Sequence, residues 1–389
     1  MLSVEAALQR IFDLVSPLNG EAVPLRHAAG RILAQPVVAS ADQPPFAASI
    51  MDGYAICGRA SPGDQFDVIG ESAAGQRFEG GISPGQAVRI FTGAPVPKGA
   101  KSVVIQEDTR RSGDRITIGN TPDTATYIRP AGADFRKGEA INPPLVITPS
   151  HVALFAAMNA PQIIAARRPD VAIIATGDEL VQPGETPQPD QIIASNALGL
   201  AAMLDGAGAM ARLLPIAHDT PDALHTAFDL ARGADMVVTI GGASVGERDL
   251  VTRVAQDRGA DMALHKIAMR PGKPLMAGML DRAVMIGLPG NPVSSMVCGH
   301  VFILPAIRTM LGLPAHPLAR RRATLASDLP KNGPREHYMR ARSDQGSVIP
   351  FERQDSALLS VLATADCLIV RPAGAKPAQA GDLVEVVDL

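Results

Sequence analysis

The chain has 389 residues, 46% of them hydrophobic, so it can hold two to four domains with substantial buried cores. Its net charge of −3 provides no overall basic field, which argues against nucleic acid or an anionic membrane as a partner. Aromatic residues make up 3% of the chain and Trp is absent, which argues against a base-stacking platform.

The three cysteines, Cys57, Cys298 and Cys367, are far apart in the sequence. Their number and spacing favour buried free thiols over a disulfide scaffold or a metal site. The N-terminus lacks the pattern of a signal peptide, and no uninterrupted apolar run approaches the length of a membrane span. We therefore expect a cytoplasmic protein with no membrane partner.

In chain order, the first element is a predicted helix over residues 3–15 with Ser3 as its N-cap. Its apolar residues Val4, Leu8, Ile11 and Val15 recur on one face. Residues 28–33 are a second, short helix candidate.

Residues 44–140 have a different character, with few helical patterns and several strand-like runs. Strands are predicted at 87–91, 102–106 and 115–118, with a tight turn at 112–114. This region is predicted to be a separate β-rich domain, followed by a helix over 150–160.

Residues 170–312 alternate apolar runs with helical stretches. Three of these runs, Val171–Thr176, Met236–Ile240 and Val284–Leu288, end in glycine-containing turns, which predicts a parallel sheet with ligands at the carboxyl ends of its strands. Helices are expected at 195–206, 220–232 and 247–258, and after Pro292, with Asn291 as N-cap and Pro292 as the first helical residue.

After Pro317 short strand-like runs return, at 320–325, 337–342, 367–371 and 383–387. They predict a small β-barrel or sandwich. The eight histidines occur singly, which argues against a transition-metal site.

The three glycine-containing turns suit an anionic ligand. The amides of residues 241–246 can cradle a phosphate, with Glu247 and Asp249 available to hold Mg²⁺ beside it. The first-turn amides after Pro289-Gly-Asn-Pro292 can receive an anion, and the carboxylates of the Thr176-Gly-Asp-Glu179 turn can bind a metal, a water or a hydroxyl group. Each turn taken alone also fits an ordinary strand-to-helix or solvated turn.

Two sets of cations complete the pattern. Arg270 and Lys273 flank a rigid Pro-Gly turn, with Lys266 just upstream, and Arg335 and Arg340 form a similar pair later in the chain. Both sets suit an oxyanion, and plain surface charge is the alternative.

Seven segments together closely resemble the molybdopterin molybdenumtransferase family of the MoeA type, which includes the E domain of gephyrin. The match covers essentially the whole chain and is carried by Met51-Asp-Gly-Tyr-Ala55, Thr92-Gly-Ala-Pro-Val-Pro97, Thr176-Gly-Asp-Glu-Leu180, Ser195-Asn196, Gly241-Gly-Ala-Ser-Val-Gly-Glu-Arg-Asp249, Pro271-Gly-Lys-Pro274 and Leu288-Pro-Gly-Asn-Pro-Val-Ser294.

The resemblance implies a multidomain α/β plus β fold. Its expected parts are an N-terminal helical and linker domain formed by 1–43 and 141–168, a protruding β-rich domain at 44–140, a three-layer α/β molybdopterin-binding domain with a mostly parallel sheet at 169–316, and a small C-terminal β-barrel at 317–389. It also implies a homodimer whose active cleft combines the α/β domain of one subunit with the β domain of the other.

The implied activity is that of a transferase in molybdenum cofactor biosynthesis. It inserts molybdate into adenylylated molybdopterin with Mg²⁺-dependent release of AMP, and other cofactor-biosynthesis proteins are further candidate partners. A non-catalytic pterin-binding scaffold and a nucleotide pyrophosphatase remain as alternatives. The family usually has Lys at the position of Arg270, which leaves the preference between molybdate and tungstate open.

The resemblance also implies roles for individual residues. Catalytic roles fall to Asp52, Thr92, Asp134, Glu179, Asp219 and Asp249, the last two also as Mg²⁺ ligands. Substrate binding falls to Thr176, Gly177, Asp178, Ser195, Asn196, Gly241, Gly242, Ser244, Gly246, Pro289, Gly290, Asn291 and Pro292. Molybdate binding falls to Lys266, Arg270, Lys273, Ser294, Arg335, Arg340 and Ser360.

Overall fold

The computed structural model describes residues 1–122, 124–242 and 250–389. These form two compact units. One comprises Met1–Glu21, Gly30–Ala34 and Ala165–Leu389, and the other comprises Ala22–Ala29 and Gln35–Ile164. The strands Gly20–Pro24 and Gln162–Ala166 span two of the four points where the chain passes from one unit to the other. The four-part division predicted from the sequence stays a prediction.

The larger unit is built on a six-stranded sheet. In spatial order its strands are Met210–Leu213, Asp170–Ala175, Met236–Ile240, Ala283–Leu288, Met276–Leu280 and Asp261–His265. The first four are mutually parallel, and Met276–Leu280 is antiparallel to both of its neighbours. The prediction of a mostly parallel sheet is confirmed, and the three predicted strands with glycine turns are adjacent in it.

Helices cover both faces of this sheet. As a result, every residue of the strands Met236–Ile240 and Ala283–Leu288 is buried. On one face lie Val4–Leu14, Asn196–Gly206 and the helical run Pro292–Met310, and on the other lie Pro221–Leu230 and Leu250–Asp257. The domain therefore has the three layers expected of it.

The N-terminal helix Val4–Leu14 follows the prediction closely. The Ser3 side chain accepts a hydrogen bond from the backbone N–H of Ala6, and the predicted apolar face is buried. The prediction of a helix over 28–33 was wrong, because Gly30 has a φ of +80°. A 3₁₀ turn, Leu25–His27, and a short strand, Ile32–Leu33, stand there instead.

The run Pro292–Met310 comprises Pro292–Cys298, a π-helical segment Gly299–Ile303, and Leu304–Met310. By length and composition it is long and apolar enough for a membrane span, contrary to the expectation from the sequence. Of its most apolar window 78% is buried inside the protein, in the same cluster as the sheet. Core helices have this composition too.

The C-terminal part of the larger unit is a closed five-stranded barrel. Its strands follow the order Glu336–Asp344, Ser347–Pro350, Arg321–Leu325, Leu383–Asp388 and Cys367–Arg371, and the last pairs back with the first. The short strand Met269–Arg270 adds to Glu336–Asp344 from outside the barrel. The barrel, which was one of the two predicted alternatives, is thus confirmed. The larger unit also contains the helix Leu359–Thr364 and the paired short strands Leu180–Val181 and Ile192–Ile193.

The smaller unit is mostly β, as predicted. Its main sheet has the order Ser102–Ile105, Gly53–Ile56, Gln86–Ile90, Gln65–Ser72, Arg115–Ile118 and Thr109–Ser112. The predicted helix over 150–160 runs over Pro149–Ala157, starting from the N-cap Thr148. The remaining elements are short: Val37–Val38, Ala48–Ser49, Gln106–Asp108, Ile128–Arg129, Ala140–Ile141 and Leu145–Val146.

Candidate active cleft

Three neighbouring strands of the α/β sheet end at the same level. Ala175 is in register with Ile240, and Ile240 with Leu288. The ladder continues one residue further, since the N–H of Thr176 donates to Ile240 O (2.9 Å) and that of Gly241 to Leu288 O (3.1 Å). The three turns thus begin side by side, as strand ends in a parallel sheet dictate.

A cleft of 760 Å³ opens at these strand ends, and all of its described lining residues belong to the larger unit. Fourteen of the predicted site residues line it. They are Thr176, Gly177, Glu179, Ser195, Asn196, Asp219, Gly241, Gly242, Lys266, Lys273, Pro289, Gly290, Asn291 and Pro292.

The glycine pair Gly241-Gly242 is required by close contacts as well as by backbone conformation. The φ values are +96° and +64°, a region that side chains disfavour. A Cβ on Gly241 would lie 2.5 Å from Thr176 O, and one on Gly242 would collide with Val251. Thr176 Oγ1 is itself buried and lacks a hydrogen-bond partner in the part of the chain that the structure describes.

Ser244, Gly246 and Asp249, together with Glu247, lie outside the described residues. The roles predicted for them in the phosphate cradle and in binding Mg²⁺ therefore stay predictions.

The turn after the third strand is tied to two other segments. Asn196 Nδ2 donates to Gly290 O (2.8 Å), linking it to the start of the helix Asn196–Gly206. Asn291 occupies the predicted N-cap position of the following helix, but its Nδ2 donates to Ser356 Oγ (3.1 Å). The backbone N–H of Val293 donates to Ser356 O (3.0 Å), so this first-turn amide already has a partner.

Two carboxylates, those of Glu179 and Asp219, lie at one end of the cleft, and Asp178 is near them. Asp178 Oδ1 accepts from the backbone N–H of Asp219 (3.2 Å) and lies 3.0 Å from His218 Nδ1, and these contacts, the amide first, lower the pKa of Asp178. Burial raises the pKa of Asp219, and the charges of Asp178 and Glu179 raise it further. Glu179 and Asp219 line the cleft, whereas Asp178 is outside its lining.

The predicted cations divide into two positions. Lys266 and Lys273 line the cleft, on a hairpin held by Ile267 N–H donating to Lys273 O (2.9 Å). Arg270 and Arg335 lie where this hairpin meets the barrel, with Arg335 Nη1 donating to Met269 O (3.3 Å). Across the described ranges, none of these four side chains forms a salt bridge with a carboxylate.

Arg340 is not brought to the cleft. It is 2% exposed inside the barrel region, where its Nη1 donates to Asp355 O (2.9 Å) and Leu358 O (3.3 Å). Its Nη1 is therefore engaged by main-chain acceptors, and its Nε donates to Gln354 Oε1 (3.3 Å). Ser294, 3% exposed, and Ser360, on the helix Leu359–Thr364, also lie outside the cleft lining.

Asp52, Thr92 and Asp134 all belong to the smaller unit. Thr92 donates to Asp52 Oδ1 through its backbone N–H (2.7 Å) and its hydroxyl (2.8 Å), and both bonds lower the pKa of Asp52. Asp134 donates its backbone N–H to Gln43 O (2.9 Å).

Sequence reasoning missed an apolar wall of the cleft. Ile192 is 58% exposed and Ile193 38%, and both line it together with Leu180, Pro274 and Ala357. The only sequence signal for this wall is the position of the apolar pair Ile192-Ile193 directly after the polar, proline-rich segment 182–191.

A relative from Nostoc, named "Molybdopterin molybdenumtransferase", is 37% identical over 359 residues, covering 87% of this chain and 81% of its own length. The chain belongs to the molybdopterin molybdenumtransferase family. Membership is also supported by "Molybdopterin molybdenumtransferase 2" of Mycobacterium tuberculosis, 33% identical with both chains covered completely. This is an enzyme family, of transferases of molybdenum cofactor biosynthesis, so the predicted family is confirmed.

Models of this family's regions match in three blocks. The MoeA N-terminal region (domain I and II) matches residues 2–159, a probable molybdopterin binding domain matches 172–309, and the MoeA C-terminal region (domain IV) matches 322–389. A crystal structure of a molybdopterin biosynthesis MoeA protein from Pyrococcus horikosii superposes with a TM-score of 0.88 at 27% identity, covering 100% of this chain and 99% of that one. Agreement over the full length does not favour the scaffold or pyrophosphatase alternatives.

Proposed function

We propose that this member of the family inserts molybdate into adenylylated molybdopterin, with Mg²⁺-dependent release of AMP, to give molybdenum cofactor. The observation that carries the proposal is the single cleft that joins main-chain turns, two lysines and two carboxylates at three aligned strand ends. A phosphate-linked substrate and a separate oxyanion need these three kinds of group together.

The glycine turn and the Pro289–Pro292 turn hold the phosphate and nucleotide portions of the substrate. Main-chain amides at strand ends are suited to this because the ligand can approach a backbone without side chains. Thr176 supports the assignment, since its buried hydroxyl lies beside Gly241 and Gly242. Gly177, Ser195 and Asn196 line the same cleft. Asp178, Ser244 and Gly246 are further proposed substrate contacts.

Molybdate binds at the cationic side of the cleft. Lys266 and Lys273 attract the dianion into the cleft, and Arg270 and Arg335 extend the positive field toward the barrel. Ser294 and Ser360 are further proposed contacts. Because the guanidinium of Arg340 already donates to main-chain carbonyls, we assign it no contact with molybdate.

Mg²⁺ would be held at the acidic end by Glu179 and Asp219, with Asp249 as a further proposed ligand. The donor set fits a hard cation, because carboxylate oxygens are the ligands that Mg²⁺ prefers when it also binds phosphate. Burial, and after it the charges of Asp178 and Glu179, raises the pKa of Asp219, and a bound divalent cation would offset both effects. Within the described residues no ready-made group of three His, Cys, Asp or Glu ligands exists, so substrate oxygens would complete the coordination.

The enzyme acts as a homodimer in the cytoplasm, and Asp52, Thr92 and Asp134 complete the cleft of the partner subunit. The support is chemical: Thr92 holds Asp52 through Oδ1 and lowers its pKa, and among the described residues no hydrogen bond engages the second carboxylate oxygen, which can meet a ligand. The cysteine content agrees with a reducing compartment.

The proposal is tested by incubating the purified protein with adenylylated molybdopterin, molybdate and Mg²⁺ and measuring AMP by chromatography. AMP release that needs both ions is expected. Reactions without molybdate and reactions with EDTA are the controls. The absence of AMP under conditions where the Mycobacterium tuberculosis relative is active would refute the proposal.

A further inference from the structure

Arg340 lies in the barrel strand Glu336–Asp344, and its guanidinium is buried beside the main chain of a neighbouring segment. It is 2% exposed, and burial lowers its pKa despite the nearby Asp355 charge. Its Nη1 reaches two carbonyl oxygens, those of Asp355 and Leu358. A buried cation that donates to main-chain carbonyls holds that backbone in place.

The backbone that Arg340 holds is the segment 354–358, which we term the strap. Gln354 secures its beginning, because its Oε1 accepts from the backbone N–H (3.0 Å) and Nε (3.3 Å) of Arg340 while its Nε2 donates to Arg340 O (2.9 Å). The Leu358 carbonyl secures its end. The strap is thus fixed to a single residue at both ends.

The middle of the strap touches the cleft. Ser356 O accepts from the backbone N–H of Val293, and Ser356 Oγ accepts from Asn291 Nδ2. Ala357 lines the cleft directly. Ser356 therefore fixes the turn that carries Gly290 and Asn291, which the bond from Asn196 also holds.

We propose that Arg340 is a positioning residue for the cleft: through the strap it holds Ser356 against the Pro289–Pro292 turn and so sets the shape of the substrate-binding edge. The effect of Arg340 on KM rests on the proposed function. Its effect on the conformation of the Pro289–Pro292 turn does not, because that conformation can be measured without substrate.

The barrel supplies a matched control in Arg371, on the strand that pairs with the Arg340 strand. Arg371 is 4% exposed, its pKa is likewise lowered by burial, and its Nη2 donates to the carbonyls of Pro330 and Lys376. It has the same chemistry and burial, but its acceptors lie outside the strap. Loss of either arginine should weaken the barrel, whereas only loss of Arg340 should release the strap.

The positional experiment compares Arg340→Met with Arg371→Met by native-state hydrogen exchange in peptides covering residues 289–298. Exchange of the Val293 amide should speed up about tenfold or more in Arg340→Met and stay near the wild-type rate in Arg371→Met. Gln354→Ala removes the other half of the anchorage without deleting a buried charge. Gln354→Ala should also speed up exchange of the Val293 amide, by a smaller factor. This variant replaces Arg340→Met in the experiment if Arg340→Met does not fold.

The kinetic experiment measures AMP release by the same variants. Arg340→Met should raise the KM for adenylylated molybdopterin about tenfold with a much smaller change in kcat, because binding geometry is altered and no reacting group is removed. Arg371→Met should leave KM unchanged. Two results would overturn the inference. One is a Val293 amide that exchanges at the wild-type rate in both Arg340→Met and Gln354→Ala. The other is a Val293 amide that exchanges as fast in Arg371→Met as in Arg340→Met. A wild type without AMP release but with the expected exchange pattern would refute only the proposed function.

Discussion

Thr92 directs two donors to one oxygen atom of Asp52: its backbone N–H lies 2.7 Å and its hydroxyl 2.8 Å from Oδ1. The backbone bond is the larger cause of the lowered pKa of Asp52, and the hydroxyl bond is the next. The arrangement keeps the carboxylate ionised and its orientation fixed. A group of this kind is suited to contact a cation or a polar ligand through the remaining oxygen.

Thr92→Val should raise the pKa of Asp52, because the hydroxyl donor is lost while the backbone donor stays. The pKa should move toward the ordinary value of 3.8, and a carbon-detected NMR titration of the Asp52 carboxyl group would measure it. Thr92→Ser keeps the hydroxyl and is the matched control. Identical titration curves for Thr92→Val and wild type would show that the hydroxyl bond has no influence.

Asp219→Asn should lower the apparent affinity of the enzyme for Mg²⁺ without lowering its thermal stability. Burial and the charges of Asp178 and Glu179 disfavour the ionised form of Asp219, so removing its charge relieves repulsion. The midpoint of thermal unfolding in EDTA should not fall, whereas the Mg²⁺ concentration for half-maximal AMP release should rise about tenfold or more.

Asp222→Asn, an exposed acid in the first turn of the helix Pro221–Leu230, is the charge-matched control and should leave the Mg²⁺ requirement unchanged. Loss of stability in Asp219→Asn with a normal Mg²⁺ requirement would assign Asp219 a structural role instead.

His337 should make the protein lose stability in mild acid. It is 7% exposed, and burial, followed by the charges of Arg270, Arg340, Arg335 and Arg371, lowers its pKa to about 4 from an ordinary 6.5. Between these values the unfolded chain binds a proton that the folded chain does not. The stabilisation is therefore complete above pH 6.5 and is lost as the pH falls toward 4, by about 3 kcal/mol at most.

Urea unfolding of wild type and His337→Gln at several pH values across this window would measure the effect. The free energy of unfolding of His337→Gln should depend less steeply on pH than that of wild type. His316→Gln, at an exposed histidine, is the control and should retain the wild-type slope. Equal slopes for all three proteins would contradict the prediction.

Lys273→Gln should raise the KM for molybdate about tenfold, because Lys273 lines the cleft and has no salt-bridge partner among the described residues to compensate for its charge. Lys331→Gln removes an exposed lysine of the same unit outside the cleft and should have no such effect. An unchanged molybdate KM in Lys273→Gln would place the oxyanion elsewhere.

The strand ends were the part of the site that periodicity predicted best. The strand Met236–Ile240 has the predicted bounds, and the adjacent register of Ala175, Ile240 and Leu288 follows from parallel pairing. Short apolar runs that end in glycine turns leave few alternatives to a buried parallel strand.

Contacts between distant segments were not predictable in this way. The residue type of Arg340 suggested an oxyanion ligand, but its role depends on main-chain acceptors at Asp355 and Leu358, which no local sequence pattern indicates. The partner of the Val293 amide, Ser356 O, lies far along the chain and likewise carries no local signal. Turn motifs report local conformation, and long-range hydrogen bonds depend on the assembled fold.

The most direct test of the proposed transfer is the stoichiometry of its products. Purified protein with adenylylated molybdopterin, molybdate and Mg²⁺ would be assayed together for AMP and for molybdenum bound to pterin, the latter by reconstitution of an apo-molybdoenzyme. We predict one molybdenum cofactor for each AMP, with both products abolished when molybdate is omitted. AMP released at an undiminished rate without molybdate and without cofactor formation would contradict molybdenum transfer and would indicate a pyrophosphatase.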